Sequence, residues 1–241
     1  LTSKGQIKDP IKKTTNFAQL MEMVALVSPE LRIRFSTSHP KDMTDDVLRI
    51  MAKYENICSY IHLPVQSGNS NVLKRMNRSY TREWYLERID AIRRIIPNCA
   101  ISTDIISGFC DENEEEHEET KSLMELVKFD FAYMFKYSER PKTLAERRFE
   151  DNVDEKTKSR RLTEIIAIQQ KHSLMSNQNQ IGQEQKILIE GFSKRSDDFH
   201  CGRNDNNCMV VFPKIKDHKK GDYVMVKIKD CTSATLIGEC I

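Results

Sequence analysis

The feature that most limits what this chain can fold into is an alternation that stops abruptly. Short β-prone runs, Leu31–Ser36, Ile57–Leu63, Ala100–Ser107 and Asp130–Tyr137, are separated by segments with helical spacing. Thr44 reads as an N-cap, with Asp45 and Asp46 in the first turn, where carboxylates oppose the positive end of the helix dipole. Val47, Leu48 and Met51 give that helix one apolar face. Tyr85, Ile89, Ile92 and Ile96 mark a longer helix from about Thr81, which Pro97-Asn98 ends. The acidic run Asp111–Glu119 reads as a solvated helix start leading into Leu123, Met124, Leu126 and Val127. Strands alternating with helices pair in parallel through right-handed crossovers.

After Pro141 the pattern changes. Asp154 or Glu155 opens a long helix reaching about Asn177, with Leu162, Ile165, Ile166, Ile168 and Met175 as its apolar residues. Ser176–Gln180 is polar and reads as a linker. Strand signals then dominate: Lys186–Phe192, Cys208–Phe212, Asp222–Asp230 and Ala234–Cys240, with strict alternation over Tyr223–Ile228. Lys220-Gly221-Asp222 and Gly238 suit turns or bulges. The expected fold class is α/β, a partial (βα) barrel over 1–178 followed by a small all-β, OB-like barrel over 179–241.

Composition narrows the functional classes. The 241 residues are 39% hydrophobic and 31% charged, the make-up of a globular chain. The 38 basic residues nearly cancel 36 acidic ones, giving net +2, so any nucleic-acid contact must come from a local patch. No run of about 18 apolar residues suits a membrane span, and Leu1–Gln6 lacks the apolar stretch of a signal peptide. The absence of an initiator Met suggests a piece of a longer chain. Seven cysteines, 58, 99, 110, 201, 208, 231 and 240, form no C-x-x-C pair. Reduced, mostly buried thiols and no cysteine-built metal site are expected, and the cytoplasm is the expected compartment.

Polar residues gather where the strands end. Ser36-Thr37-Ser38-His39-Pro40 follows the first run, and Gln66-Ser67-Gly68 the second. Ser102, Thr103, Asp104, Ser107 and Gly108 lie in and after the third, and Tyr137-Ser138-Glu139-Arg140-Pro141 after the fourth. In parallel α/β folds ligands bind beyond the carboxyl ends of strands, so these are candidate site residues. Asp104 is costly to bury in an apolar strand unless paired, and Arg140 suits a carboxylate. His39 is expected to cap its loop and His62 to be a satisfied interior or interface histidine. Met43, Met51, Met76 and Met134 read as packing residues. No nucleophile elbow, Walker loop, zinc-protease motif or dinucleotide fingerprint is present.

Several blocks occur in one order: Ile33–Pro40, His62-Leu63-Pro64-Val65-Gln66-Ser67-Gly68-Asn69, Ile101–Phe109, Tyr137–Pro141, Gly191-Phe192-Ser193-Lys194-Arg195 and Gly202-Arg203-Asn204. Together they closely resemble the radical-SAM methylthiotransferases, and Phe35–Pro40 resembles the tRNA-modifying branch. The resemblance implies a radical-SAM barrel followed by a TRAM barrel that binds RNA. It implies S-adenosyl-L-methionine (SAM) and two 4Fe-4S clusters as cofactors, with a methylthio group placed at C2 of an N6-isopentenyl adenosine in the tRNA anticodon stem-loop. Gln66, Ser67, Gly68, Asp104, Gly108, Ser138 and Arg140 would then border the SAM pocket. Lys194, Arg195 and Arg203 would neutralise RNA phosphates. A monomer is expected.

The departures are as specific as the match. The family's C-x3-C-x2-C motif and three further cluster cysteines are absent. The resemblance therefore implies a C-terminal portion that cannot bind either cluster in the family way and whose open sheet edges are exposed. Cys110-Asp111-Glu112 replaces Pro-Gly-Glu, and Lys142 replaces the glycine of Arg-Pro-Gly-Thr. Two other readings stay open at this point: a non-catalytic RNA-binding protein using the C-terminal barrel, and a sister methylthiotransferase acting on threonylcarbamoyl-adenosine or a ribosomal protein.

Overall fold

The computed structural model describes residues 15–37 and 39–241. Ser38 and the Leu1–Gln6 start lie outside the described residues. The strand β2 (Ala100–Ser107) is the middle of a parallel sheet, flanked by β1 (Tyr60–His62) and β3 (Phe131–Lys136). Isolated bridges lengthen it, Ile33 with Ile57 and Gln66 with Ile105.

Side chains alternate between the sheet's faces, and the sequence assigns each face. Ile61, Ile101 and Ile105 point to the helical side. There they join Met21 of α1 (Phe17–Ala25), Leu48 of α2 (Asp45–Lys53), Leu73 of α3 (Ser70–Arg75), Tyr85, Ile89 and Ile92 of α4 (Arg82–Ile95), and Leu123, Met124 and Val127 of α5 (Glu114–Val127) in the main core. The opposite face carries Tyr60, His62, Ser102, Asp104, Phe131, Tyr133 and Phe135, and the three β3 aromatics are exposed.

Local chemistry sets the helix ends. Thr81 caps α4 and Asn113 makes a capping box with Glu116 at the start of α5. Thr44 occupies the N-cap of α2 without a side-chain bond. His39 Nδ1 accepts from Lys41 N at 3.2 Å, the expected loop cap. Met43 and Met51 are buried in the core, with Met134 packed against it.

After the short α6 (Leu144–Arg148), the long helix α7 (Glu155–Gln178) departs from expectation. Of its anticipated apolar face only Ile165 is fully buried; the buried stripe is Lys158, Arg161, Gln169, His172, Ser173 and Asn177. These groups bond to main chain and carboxylates of other elements. Gln169 donates to Phe129 O at 2.8 Å and Ser173 to Asp130 O at 2.7 Å. Asn177 donates to Thr232 O at 2.8 Å. Ser176–Gln180 is therefore the tied end of a helix and its cap, not a free linker.

The remaining strands close a barrel in the order β4 (Glu184–Ser193), β5 (Ser196–Arg203), β6 (Met209–Pro213), β8 (Thr235–Cys240), β7 (Tyr223–Cys231). Ile187, Ile189, Val210, Phe212, Val226, Ile228 and Leu236 fill it. Strand β5 goes unread in the sequence because Ser196-Asp197-Asp198 is polar; pairing with β4 and β6 supplies what propensity does not. Leu31–Ser36 shows the reverse: only a bridge at Ile33 forms, because the segment is paired on one side and Arg32 and Arg34 reach for the barrel.

Gly202 permits the β4–β5 contact: a Cβ there would lie 2.2 Å from Leu188 O. Gly202→Ala is expected to cost about 1–3 kcal/mol through overpacking, seen as a lowered melting temperature by calorimetry.

Candidate functional site

The open face of the sheet holds a connected polar set. Tyr60 Oη and Ser102 Oγ are 2.6 Å apart, and His62 Nδ1 lies 2.9 Å from the same Ser102 oxygen. His62 Nε2 faces Asp104 Oδ1 at 3.5 Å, and the imidazole stands edge-on to Tyr133 with centroids 5.9 Å apart. The register dictates this: His62 pairs with Ser102, and Asp104 with Tyr133. Arg34, Phe35, Ser36, Tyr60, His62, Tyr133 and Asn207 line a cleft of ≈ 410 Å³ over this face. His62 is thus satisfied, as expected, yet it borders an open cleft. Tyr60 and Tyr133 are additions that the structure makes to the candidate set; their signal is the period-two spacing of the two strands.

Gln66 extends β1 through its backbone, donating to Asp104 O at 2.8 Å and accepting from Ile106 N at 2.9 Å. It does so at φ 73°, in the left-handed region. Ser67 and Gly68 turn the other way. Ser67 is fully buried with its Oγ 3.3 Å from Thr120 Oγ1, and Gly68 N donates to that hydroxyl at 2.9 Å. A Cβ on Gly68 would meet Thr120 Cα at 2.5 Å, so this glycine lets the loop press on α5. Both residues shape the loop, and the Ser67 side chain turns to Thr120 of α5.

Gly108 also serves the backbone. Its φ is +74°, and a Cβ would meet Lys158 Cγ at 2.4 Å. Its N–H donates to Glu112 Oε2 at 2.5 Å, and Arg161 donates to the same oxygen at 3.2 Å. Lys158, 2% exposed, reaches both oxygens of Asp151 at 2.6 Å. Burial pushes the Glu112 carboxyl upward despite the Gly108 and Arg161 contacts. Ser107 Oγ is buried with no hydrogen-bond partner among the described residues, an acceptor and donor left over at a strand end. Beyond it, Ile106, Phe109 and Tyr137 line a slot of ≈ 160 Å³ with Arg75, Met76 and Arg78. Ser138 and Arg140 are exposed, and the Arg140 side chain makes no ion pair among the described residues.

The cysteines do not form a ligand set. All are free, burial raises Cys99 to about 12 and Cys208 to about 11, and the thiolate form is correspondingly disfavoured. Among the described residues the one trio close enough to share an ion is Glu114, Glu118 and Glu164, already spanned by Arg160 and Lys121.

On the barrel, Lys194 and Arg195 form the exposed two-residue tip of the β4–β5 hairpin. Phe192 beside them is 49% exposed, with Lys214 Nζ 4.9 Å from its ring centre. Lys214, Lys216, Lys219 and Lys220 form an exposed basic loop, a further addition to the candidate set whose signal is their clustering in the sequence. Arg203 does not belong to this group. Its guanidinium donates to Asn207 O at 2.8 Å and pairs with Glu190 at 3.4 Å, because β5 carries it to the opposite end of the hairpin.

The chain matches the Radical SAM superfamily over residues 11–124 and the TRAM domain over 178–241. It is similar to proteins named tRNA-2-methylthio-N(6)-dimethylallyladenosine synthase. The one from Christiangramia forsetii is 57% identical over 227 residues, 94% of this chain and 47% of that protein. The one from Amoebophilus asiaticus is 56% identical, covering 98% and 49%. The one from Bacteroides thetaiotaomicron is 53% identical, covering 97% and 51%. Over nearly its whole length the chain is thus similar to these synthases, with a Radical SAM match followed by a TRAM match. It spans about half the length of these relatives. Among solved structures, coproporphyrinogen III oxidase from Escherichia coli, a radical SAM enzyme, shares the fold with TM-score 0.53 at 15% identity, over 78% of this chain and 50% of that one. No helix among the described residues is long and apolar enough to cross a membrane.

One electrostatic consequence concerns α5 and α7. Hydrogen bonding to Arg160 holds Glu114 down to about 2. A depressed carboxylate stabilises fully above its ordinary pKa, 4.5 here, and that stabilisation is lost as pH falls towards 2. The melting temperature is expected to drop across this window, and Glu114→Gln to flatten the drop, measured by scanning calorimetry from pH 2 to 6.

Proposed function

We propose that this chain is the carboxyl-terminal part of a tRNA methylthiotransferase that places a methylthio group at C2 of N6-isopentenyl adenosine next to the anticodon. The observation that carries the reading is 53–57% identity, over nearly the whole of this chain, to synthases of that name. By this resemblance SAM and iron–sulfur clusters, when bound, would supply radical chemistry and sulfur. The seven cysteines here are free and scattered along the sequence, so the cluster ligands would come from other parts of the protein.

The slot of Ile106, Phe109 and Tyr137, which Arg75 and Arg78 also line, would suit an aromatic base. Asp104 would face SAM or substrate from the open side of the sheet, Gln66 would border the pocket at the strand end through its backbone, and Ser138 and Arg140 would stand at the far rim. Ser67, Gly68 and Gly108 would act through backbone shape. His62, held by Ser102, would orient Asp104, and Tyr133 would offer a ring to a purine. On the barrel, Lys194, Arg195 and Lys214 would neutralise phosphates while Phe192 offers a stacking face.

The deciding experiment is nucleoside mass spectrometry of bulk tRNA from cells with and without the gene. Loss of the 2-methylthio group with accumulation of isopentenyl adenosine is the expected result, and an unchanged profile would refute the reading. In the full-length protein, Asp104→Asn should lower turnover at least about tenfold with tRNA affinity nearly unchanged, read by single-turnover assays beside binding isotherms. Lys194→Glu with Arg195→Glu should weaken tRNA binding and flatten the slope of log K against log salt by about 0.7–0.9 for each phosphate no longer neutralised, measured by titration at several salt concentrations.

A further inference from the structure

The seam between the sheet and the barrel is built more specifically than a tether requires. Arg32, whose side chain is 7% exposed, donates to Arg203 O at 2.6 Å and Lys186 O at 2.9 Å, and pairs with Asp205 at 2.8 Å. Its guanidinium also lies 5.1 Å from the Tyr223 ring centre. Two residues on, Arg34 donates to Asn204 O at 2.8 Å and pairs with Glu190 at 3.5 Å. The barrel answers with Asn206, whose amide donates to Ser59 O at 3.0 Å and Asn98 O at 2.8 Å. Those carbonyls stand just ahead of β1 and β2, at the amino ends of the sheet. Tyr223 Oη donates to Glu30 O at 3.0 Å.

The turn that carries Asn206 is itself fixed. Asn204, 2% exposed, accepts from Cys208 N at 2.8 Å and donates to Gln180 and Gln185 at 3.0 and 2.9 Å. Asn207 closes the turn at φ 62°. Most of these contacts end on main-chain carbonyls, which cannot move without moving their strands. A planar guanidinium fork meets them in one geometry only.

We propose that Arg32, Arg34 and Asn206 are positioning residues. They lock the barrel beneath the amino ends of the sheet, so that the β4–β5 hairpin becomes a rigid arm. Its root, Lys186 and Arg203, is in the seam, and its Lys194–Arg195 tip stands away from it by seven residue steps from Arg203 to Ser196, roughly 23 Å at about 3.3 Å per residue. RNA held at the tip is thereby held at a fixed offset from the polar face of the sheet. This rests on the reading above, that RNA bound by the barrel is modified at the sheet.

The test uses the full-length protein carrying Arg32→Ala with Arg34→Ala, and separately Asn206→Ala, which sits on a turn outside both cores. Amide exchange at residues 59–61 and 203–209 and the radius of gyration from solution scattering read the seam without RNA. Exchange there should quicken and the radius grow. Turnover on tRNA should fall by about tenfold or more, since small displacements of a reacting group are costly, with tRNA Kd within about threefold. A seam as protected as wild type in the Asn206→Ala protein and in the folded double variant overturns the proposal. So does a loosened seam with undiminished turnover. If wild-type protein leaves tRNA unmodified, the functional reading fails by itself, while exchange and scattering still decide whether these residues lock the barrel.

Discussion

Parity along β2 is the constraint on which the rest of the structure depends. Ile101, Ile105 and their neighbours of the same parity are committed to the helical core, where any one-residue slip would replace them by Ser102 or Asp104. The same commitment sends Ser102 and Asp104 to the open face. Parallel register then sets His62 beside Ser102 and Tyr133 beside Asp104. The polar constellation is thus a by-product of core packing: the helices fix which residues face the ligand side. A substitution on the helical face would disturb the candidate site without touching it.

The helix α7 shows a second use of polarity. Its buried stripe carries Lys158, Arg161, Gln169, His172, Ser173 and Asn177, groups that cost free energy to bury unless satisfied. Each is bonded to another element or loop: Lys158 to Asp151 under Gly108, Arg161 to Glu112, His172 to Glu125 of α5, Ser173 and Gln169 to the main chain entering β3, Asn177 to the barrel. An apolar stripe would have supplied cohesion without direction. Hydrogen bonds specify orientation as well as contact, and this helix ties the ends of β2 and β3 to the barrel. That is why the helix is legible by its caps and not by its face. Periodicity finds apolar stripes, and here the working stripe is polar.

The same distinction explains what else is legible in the sequence. Strand β2, the α4 and α5 helices, the Asp154 cap and the alternating β7 can be read because each rests on local pattern. Strand β5 cannot, because Ser196-Asp197-Asp198 has no strand signal and only pairing with β4 and β6 makes it one. At the site, Asp104 stands out because a carboxylate in an apolar run is conspicuous. Gly68 and Gly108 stand out by position, yet their work is steric, on Thr120 and Lys158, partners that no spacing argument could name. Arg203 falls outside the basic tip because strand direction, not composition, decides which end of a hairpin a residue occupies.

Charge follows the same logic of placement over amount. A chain of net +2 has no overall field to draw RNA. Several of its acidic residues are held in ion pairs, such as Glu116 with Arg75 and Glu114 with Arg160. The Lys194, Arg195 and Lys214 side chains make no ion pair among the described residues, and Lys214 lies over the exposed Phe192 ring next to that tip. Near-neutrality overall therefore sharpens the contrast between the barrel tip and its surroundings. On the proposed function, phosphate would be attracted to one end of the hairpin, while Arg203 and Arg32, paired with Glu190 and Asp205, hold the other end in place.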